Sequence, residues 1–379
     1  MTRVRLGSFV IEHNERNRMN RALPVYSVTN SRGFCQQYFN KIVASEDRST
    51  YKIVPHNCFA YNPSRINVGS IDWQRYEESV IVSPLYVVFS TSDEIDNQFL
   101  YYYLKSDVAL TYIKNWGQGS VRDNLKFTQL SQIPVNVYPI EEQQLIAQRL
   151  DVLSKLISLR QRQAEKLDEL VKARFVEMFG DPVRNTKHWE KASLLALGSC
   201  KNGMSFHANE SGIKLRCLGV GDFKNLSYID DVEQLPFVSL AEKPSANCFL
   251  HDGDIVFVRS NGNKALVGRC LLVYPRDTPT IYSGFCIRYR LVTEKVDPIY
   301  ALHVLKADGI RQKMSGRGAN IQNLNQKILA TIEMPIPPLP LQNAFATFVH
   351  EVDREKERIQ RSAALLETLK RSLMQQYFG

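Results

Sequence analysis

One long stretch of this chain occurs twice. Gly117 to Gly180 and Gly316 to Gly379 align without a gap, 199 positions apart. Under that register Asn124, Leu125, Leu130, Ile133, Pro139, Gln143 and Ala147 meet the identical residues Asn323, Leu324, Leu329, Ile332, Pro338, Gln342 and Ala346. Further on, Gln161, Arg162, Leu170 and Phe179 meet Gln360, Arg361, Leu369 and Phe378. A register kept across a glycine loop, a proline-rich run and a helix is not a chance match. A period this long denotes duplicated domains and not a solenoid. The chain is therefore expected to fold as two half-molecules in tandem, related by a pseudo-two-fold repeat.

With 379 residues, 44% of them hydrophobic, the chain has material for two domains with real cores. Its seven cysteines are scattered and form no C-x-x-C, which argues against a disulfide framework or a zinc site and for a reducing cytoplasm. Met1–Val10 carries arginines but no apolar core of a signal peptide, and no run approaches the roughly 18–20 apolar residues of a membrane span. These features predict a soluble, cytoplasmic protein with no membrane partner. The net charge of +9 is unevenly spread: +3 on residues 1–140, zero on 141–180, +5 on 181–339 and +1 on 340–379. The excess sits on the two large segments, and its size suits a polyanion.

The first segment reads as short strands divided by turns, at Leu6–Ile11, Pro24–Thr29, Tyr51–Val54 and Ser79–Ser90. Asp96–Asn115 has helical periodicity, and the loop Gly117-Gln118-Gly119 follows it. Ile133-Pro134-Val135 with Pro139 is an extended run, a strand edge or a polyproline-like strut. The second segment repeats this outline. It has a tight turn feeding an apolar strand over Asp252–Val258, a polar loop, a strand at Val267–Val273, a short helix at Asp297–Met314 and a proline-rich strut at Ile332–Leu341.

Two long helices are predicted, from Glu141 to the stop signal Gly180-Asp181-Pro182 and from Gln342 to Phe378. The first, at about 38 residues, would be roughly 55 Å long. Its apolar seam is Ile146, Leu150, Leu153, Ile157, Ala164, Leu167, Val171 and Met178, in alternating four- and three-residue steps. The second seam uses Val349, Val352, Ile359, Leu366 and Leu373. Lys356 and Lys370 interrupt it where the first helix has Ile157 and Val171, while Ile359 and Leu373 stand where the first has Arg160 and Arg174. Defects at different places let the two helices cover each other. An intramolecular, antiparallel coiled coil follows, and the fold class is α+β.

Catalytic signatures are missing from the sequence. Asn62-Pro63-Ser64-Arg65 lacks the second proline and the aromatic of an amino-methyltransferase motif. No phosphate-binding G-x-x-x-x-G-K-[S/T] occurs, and the seven histidines show no metal-ligand spacing. A non-catalytic binding protein is expected, with no metal and no cofactor of its own.

The repeated block, from the Gly-x-Gly loop through Ile133-Pro134-Val135 and the proline-rich strut into E-x-Q and a long helix ending Phe-Gly, resembles the specificity (S) subunit of type I restriction–modification enzymes. The resemblance covers the whole chain and both repeats. It implies target recognition domains at 1–140 and 181–339 and conserved helices at 141–180 and 340–379. It also implies that each recognition domain reads one half of a bipartite, asymmetric site in double-stranded DNA. The helices would set the spacing and dock two methyltransferase (M) subunits, and restriction (R) subunits would join the assembly. Adenosylmethionine, ATP and Mg would then belong to the partners. The second helix start departs from the family pattern, since Pro338-Leu339-Pro340-Leu341-Gln342 lacks the glutamate found in Ile140-Glu141-Glu142-Gln143; a weaker or differently capped start is expected. Two other readings stay open: the recognition region of a single-chain restriction–methylation enzyme, and a coiled-coil interaction protein that binds no DNA.

The side chains expected at DNA lie in polar loops between apolar strands. In the second segment they are Arg259, Ser260, Asn261, Asn263 and Lys264, residue types suited to guanine and adenine edges. In the first they are Asn62, Ser64, Arg65 and Asn67, with Lys41 and Arg48 as phosphate contacts.

Overall fold

A computed structural model describes residues 2–36, 47–116, 124–206, 211–223, 226–315 and 323–379. The two expected glycine loops and Lys41 lie outside the described residues. Two compact units emerge, one of residues 1–163 with 358–379 and one of residues 164–357. Each unit thus takes one recognition segment, the near part of the long helix that follows it, and a part of the other long helix.

In the first unit, Val10–His13, Val87–Thr91, Phe59–Tyr61 and Ile71–Trp73 form an antiparallel sheet in that order. Its central strand Phe59–Tyr61 is buried on both faces. Phe59 and Tyr61 point into the core shared with the helices, and Ala60 into a second core with Val54, Val80 and Val88. The second unit repeats this design. Its sheet runs Gly198–Asn202, Cys286–Leu291, Asp254–Val258, Cys270–Val273, Tyr228–Ile229. Ile255 and Phe257 enter the helical core while Val256 and Val258 enter the other. A strand covered on both faces reads as an unbroken apolar run, which is why Asp254–Val258 stood out in the sequence.

The extended prolines lie in paired strands. Pro134–Val137 pairs antiparallel with Thr2–Arg5, and Glu333–Pro335 with Lys191–Ser193. Several expected elements are corrected. Leu6–Ile11 is not one strand, because a 3-10 turn at Leu6–Ser8 separates Thr2–Arg5 from Val10–His13. The amides of Leu6 and Gly7 are bonded to the carbonyls of Ile133 and Ser131. A Cβ on Gly7 would meet the Ser131 Cβ at 2.9 Å, so only glycine permits that approach. Pro24–Thr29 shortens to Ser27–Thr29, Ser79–Ser90 divides at a Ser83–Tyr86 turn, and the Val267 strand begins only at Cys270.

Both short helices are broken as well, into Asn97–Leu104 and Asp107–Trp116, and into Pro298–Lys306 and Asp308–Ser315. Ser106 makes the first break: its Oγ donates to the Tyr103 carbonyl and accepts from the Ala109 amide. Hydrophobic periodicity does not register a break of one or two residues.

The long helices run Ile140–Phe179 and Leu339–Phe378. The second starts three residues earlier than Gln342. Pro340 falls in its first turn, where a missing amide costs nothing. Within the first unit, chain direction along the two helices is opposed. Arg149 donates to the Tyr377 hydroxyl, whereas Tyr102 joins Ser154 on one side and lies under Lys370 on the other. In the second unit the Phe175 and Phe179 rings meet Phe345, and Asp168 pairs with Lys356, the same antiparallel order. Ile146, Leu150, Leu153, Ile157, Val171, Val349, Val352 and Ile359 are buried, Ile146 and Leu150 in the first unit's core and Val171, Val349 and Val352 in the second's. Leu167, Leu366 and Leu373 are half-buried. Phe378 closes the first unit's core against Phe99 and Tyr103.

Candidate nucleic-acid interface

In each unit the candidate loop leaves the doubly buried strand and returns as its neighbour. Residues 62–70 join Phe59–Tyr61 to Ile71–Trp73, and residues 259–269 join Asp254–Val258 to Cys270–Val273. One backbone bond pins both. The amide of Leu125 donates to the Pro63 carbonyl at 3.1 Å, and that of its repeat partner Leu324 donates to the Arg259 carbonyl at 2.7 Å. Each loop then turns through a short 3-10 helix, Ile66–Val68 or Lys264–Leu266, and reaches a left-handed glycine, Gly69 at φ 84° or Gly268 at φ 77°. The structure thus places the two expected residue sets at equivalent positions of the two units.

Their side chains divide by task. Asn62 Oδ1 accepts from the amide and hydroxyl of Ser64, Asn261 Oδ1 from the Asn263 amide, and Asn263 Oδ1 from the Ala265 amide. These carboxamides build the turns, as asparagine does when its side chain mimics a backbone carbonyl. Reading adenine needs the carboxamide oxygen and nitrogen together, so the turn bonds compete with that use. Ser64, Arg65, Asn263 and Lys264 are exposed, and Asn67 half-buried. Arg259 is half-buried, with Nη1 donating to the Gly284 carbonyl at 3.2 Å. Ser260 bridges to Asn323. Arg48 is half-buried, its amide on Asn20 Oδ1 and its Nε buried without a hydrogen bond.

A second turn flanks the loop and was missed in the sequence. Ser83 and Ser283 each close a turn, with the amide of Tyr86 or Cys286 donating back to the serine carbonyl. Each turn presents one large apolar side chain, Leu85 at 79% and Phe285 at 63% exposure. In the second unit it touches the loop directly, since the Arg259 amide donates to the Phe285 carbonyl. The echo between Val82-Ser83-Pro84-Leu85 and the run ending Gly284-Phe285 was the available signal. Among the described residues no group of three His, Cys, Asp or Glu side chains is placed to hold a metal ion, and no helix is long and apolar enough to cross a membrane.

The family model for the type I restriction modification DNA specificity domain matches residues 13–169 and again residues 187–367. The EcoKI specificity subunit of Escherichia coli is 22% identical over 301 residues, covering 74% of this chain and 64% of the relative. The MjaVIII specificity subunit of Methanocaldococcus jannaschii is 25% identical over 296 residues, covering 71% and 68%. The chain therefore spans about 64% of the length of the Escherichia coli relative. Among solved structures, the type I restriction–modification S subunit of M. genitalium superposes with a TM-score of 0.55 at 16% identity, over 100% of this chain and 96% of the other. A chain from a structural study of assembly and conformational transition in a type I R-M system gives 0.60 at 16%, over 99% and 97%.

Proposed function

We propose, from the premise that this chain belongs to the type I restriction modification DNA specificity domain family, that it is the DNA-reading specificity subunit of such a system. In this reading each unit recognises one half of a bipartite, asymmetric site in double-stranded DNA. Arg65 in one unit, and Arg259 and Lys264 in the other, contact base edges or phosphates, with Leu85 and Phe285 beside them as apolar contacts. The long helices dock M subunits, and R subunits join the assembly. Methyl transfer and cleavage, with adenosylmethionine, ATP and Mg, are the work of those partners, and the site of action is cytoplasmic DNA.

The observation that carries this reading is the pair of equivalent loops: one anchor bond, one glycine-closed turn, and different side chains on each. A duplicated protein that reads two different half-sites needs that combination. The test is Arg259→Ala with Lys264→Ala in the assembled complex. Loss of two charged contacts is expected to weaken cognate DNA binding roughly tenfold to a hundredfold and to reduce its salt dependence. Unchanged affinity would remove this loop from the interface.

A further inference from the structure

The two units carry equivalent clefts beside the long helices, and these differ in charge. In the first unit a cavity of about 730 Å³ lies over Trp73, Tyr101 and Tyr102, with Lys105 and Lys370 in its wall. In the second, a cavity of about 1110 Å³ is lined by His303, Lys306 and Asp353. Asp96, Lys105 and Asp107 recur in the second unit as Asp297, Lys306 and Asp308, at one constant spacing, so Lys105 and Lys306 are the same lysine of the two repeats.

Lys306 is served from within its own unit. Its Nζ donates to Ser227 Oγ at 2.8 Å, and the carboxylates of Asp353 and Asp168 lie within electrostatic reach. Asp353 and Glu357 both line that cavity. In the first repeat their positions are Ser154 and Ser158, so both carboxylates are absent there. Lys370, moreover, stands where the second unit has Val171. At these positions the first unit gains a cation and loses two anions; Asp151, which stands where the second unit has His350, also lines the first cleft and is paired with Lys155 at 2.7 Å.

The contacts of these two lysines reflect the shortage. Lys105 Nζ donates to the Asn30 carbonyl at 3.0 Å and sits 5.0 Å from the Tyr101 ring centre. Lys370 Nζ lies 5.6 Å from the Tyr102 ring centre. Among the described residues neither forms an ion pair with a carboxylate. Asp72, the carboxylate nearest in effect to Lys105, is held by Arg75 at 3.0 Å. Glu367, one turn before Lys370, offsets part of that lysine's charge. Burial lowers the pKa of both amines, as it does that of Lys306, so the two repeats differ in the partners around the lysine and not in its burial.

We propose that this cleft of the first unit binds a phosphoryl oxyanion between Lys105 and Lys370. Each ammonium has three donors and no acceptor, and a phosphoryl group presents several acceptor oxygens with more than one negative charge. A single carboxylate would neutralise only one of the pair. The aromatic faces are covered by Arg75, Lys105 and Lys370, so the recognised chemistry is the charged group and not a stacked base.

Inorganic pyrophosphate is the probe, titrated into the full chain by calorimetry. One saturable site is expected. Lys105→Met with Lys370→Met is expected to weaken it by roughly tenfold per lysine, while Lys306→Met leaves it unchanged. Lys370→Glu keeps the test open if the double variant fails to fold. It places a carboxylate beside Lys105, and is expected to abolish pyrophosphate binding while raising the melting temperature. Displacement of pyrophosphate by a short DNA duplex would assign the phosphoryl group to the DNA backbone, and absence of displacement to a free phosphate compound; both agree with the proposal. Non-saturable binding, or full binding by a folded Lys105→Met, Lys370→Met variant, overturns it.

Discussion

Compared side by side, the two units keep their clamps and change their clefts. Gln143 and Gln342 are fully buried and make the same three bonds. Gln143 accepts from the Asp96 amide and donates to the carbonyls of Glu94 and Tyr138; Gln342 accepts from the Asp297 amide and donates to those of Lys295 and Pro337. Each clamp ties the first turn of a long helix to the start of a short one, whose own cap is Asp96 or Asp297. The clefts a few turns away keep one lysine and diverge around it. Duplication preserved what positions the helices, because a buried amide with three partners tolerates no substitute. The half-exposed surroundings, which carry no such constraint, were free to change.

The largest effect expected from breaking this likeness is at the clamps. Gln143→Leu keeps much of the volume but leaves one amide and two carbonyls without their partner. Destabilisation of about 3 kcal/mol is expected, tempered because Glu94 is exposed and water reaches it. Gln342→Leu should act equally on the second unit. Calorimetric melting checks this: each variant should shift the transition of its own unit. A shift under about 1 kcal/mol for both would reduce the clamps to incidental contacts.

At mildly acidic pH a smaller effect separates the clefts. His303 occupies the place of Tyr102, with Phe175 and Phe345 against its ring. Burial, and next the Lys306 charge, push its pKa from the ordinary 6.5 down to about 3. The unfolded chain therefore takes up a proton on this histidine below pH 6.5 while the folded unit does not. Its neutral form is fully compatible with folding above 6.5, and stability falls as pH drops from there toward about 3. A slope on the order of 1 kcal/mol per pH unit is expected. His303→Phe should flatten this slope for the second unit's transition and leave the first unit's untouched. An unchanged acid midpoint in that variant would remove the histidine from the account.

How far these differences were legible follows from what holds each element. The repeat, the long helices and the buried strand at Asp254–Val258 announced themselves through period and apolar runs. The loops at 62–70 and 259–269 were visible as polar chemistry between strands. The roles of their asparagines were not, because whether an Asn faces a partner or closes its own turn is decided by backbone angles. Gln143 and Gln342 stood only as identities without a role, since two of the three partners of each lie 45 to 49 residues away in the chain. The clefts were invisible for the same reason: Lys105 and Lys370 meet only through the fold.

The smallest expected effect concerns the seam. Lys356 interrupts the apolar row of the second long helix, and its ammonium pairs with Asp168 of the first helix at 2.5 Å. The pair is partly exposed, at 25% for the lysine side chain and 58% for the aspartate. Attraction at such a site is screened by solvent and opposed by side-chain entropy, leaving roughly 0.2–1 kcal/mol. A double-mutant cycle with Lys356→Met and Asp168→Asn should return coupling in that range, weakening as salt is added. Lys356→Met alone is expected to be close to neutral, because the methionine restores the apolar row while the aspartate remains solvated. Coupling well above 1 kcal/mol, insensitive to salt, would instead mark the pair as a buried specificity device that fixes which register the helices adopt.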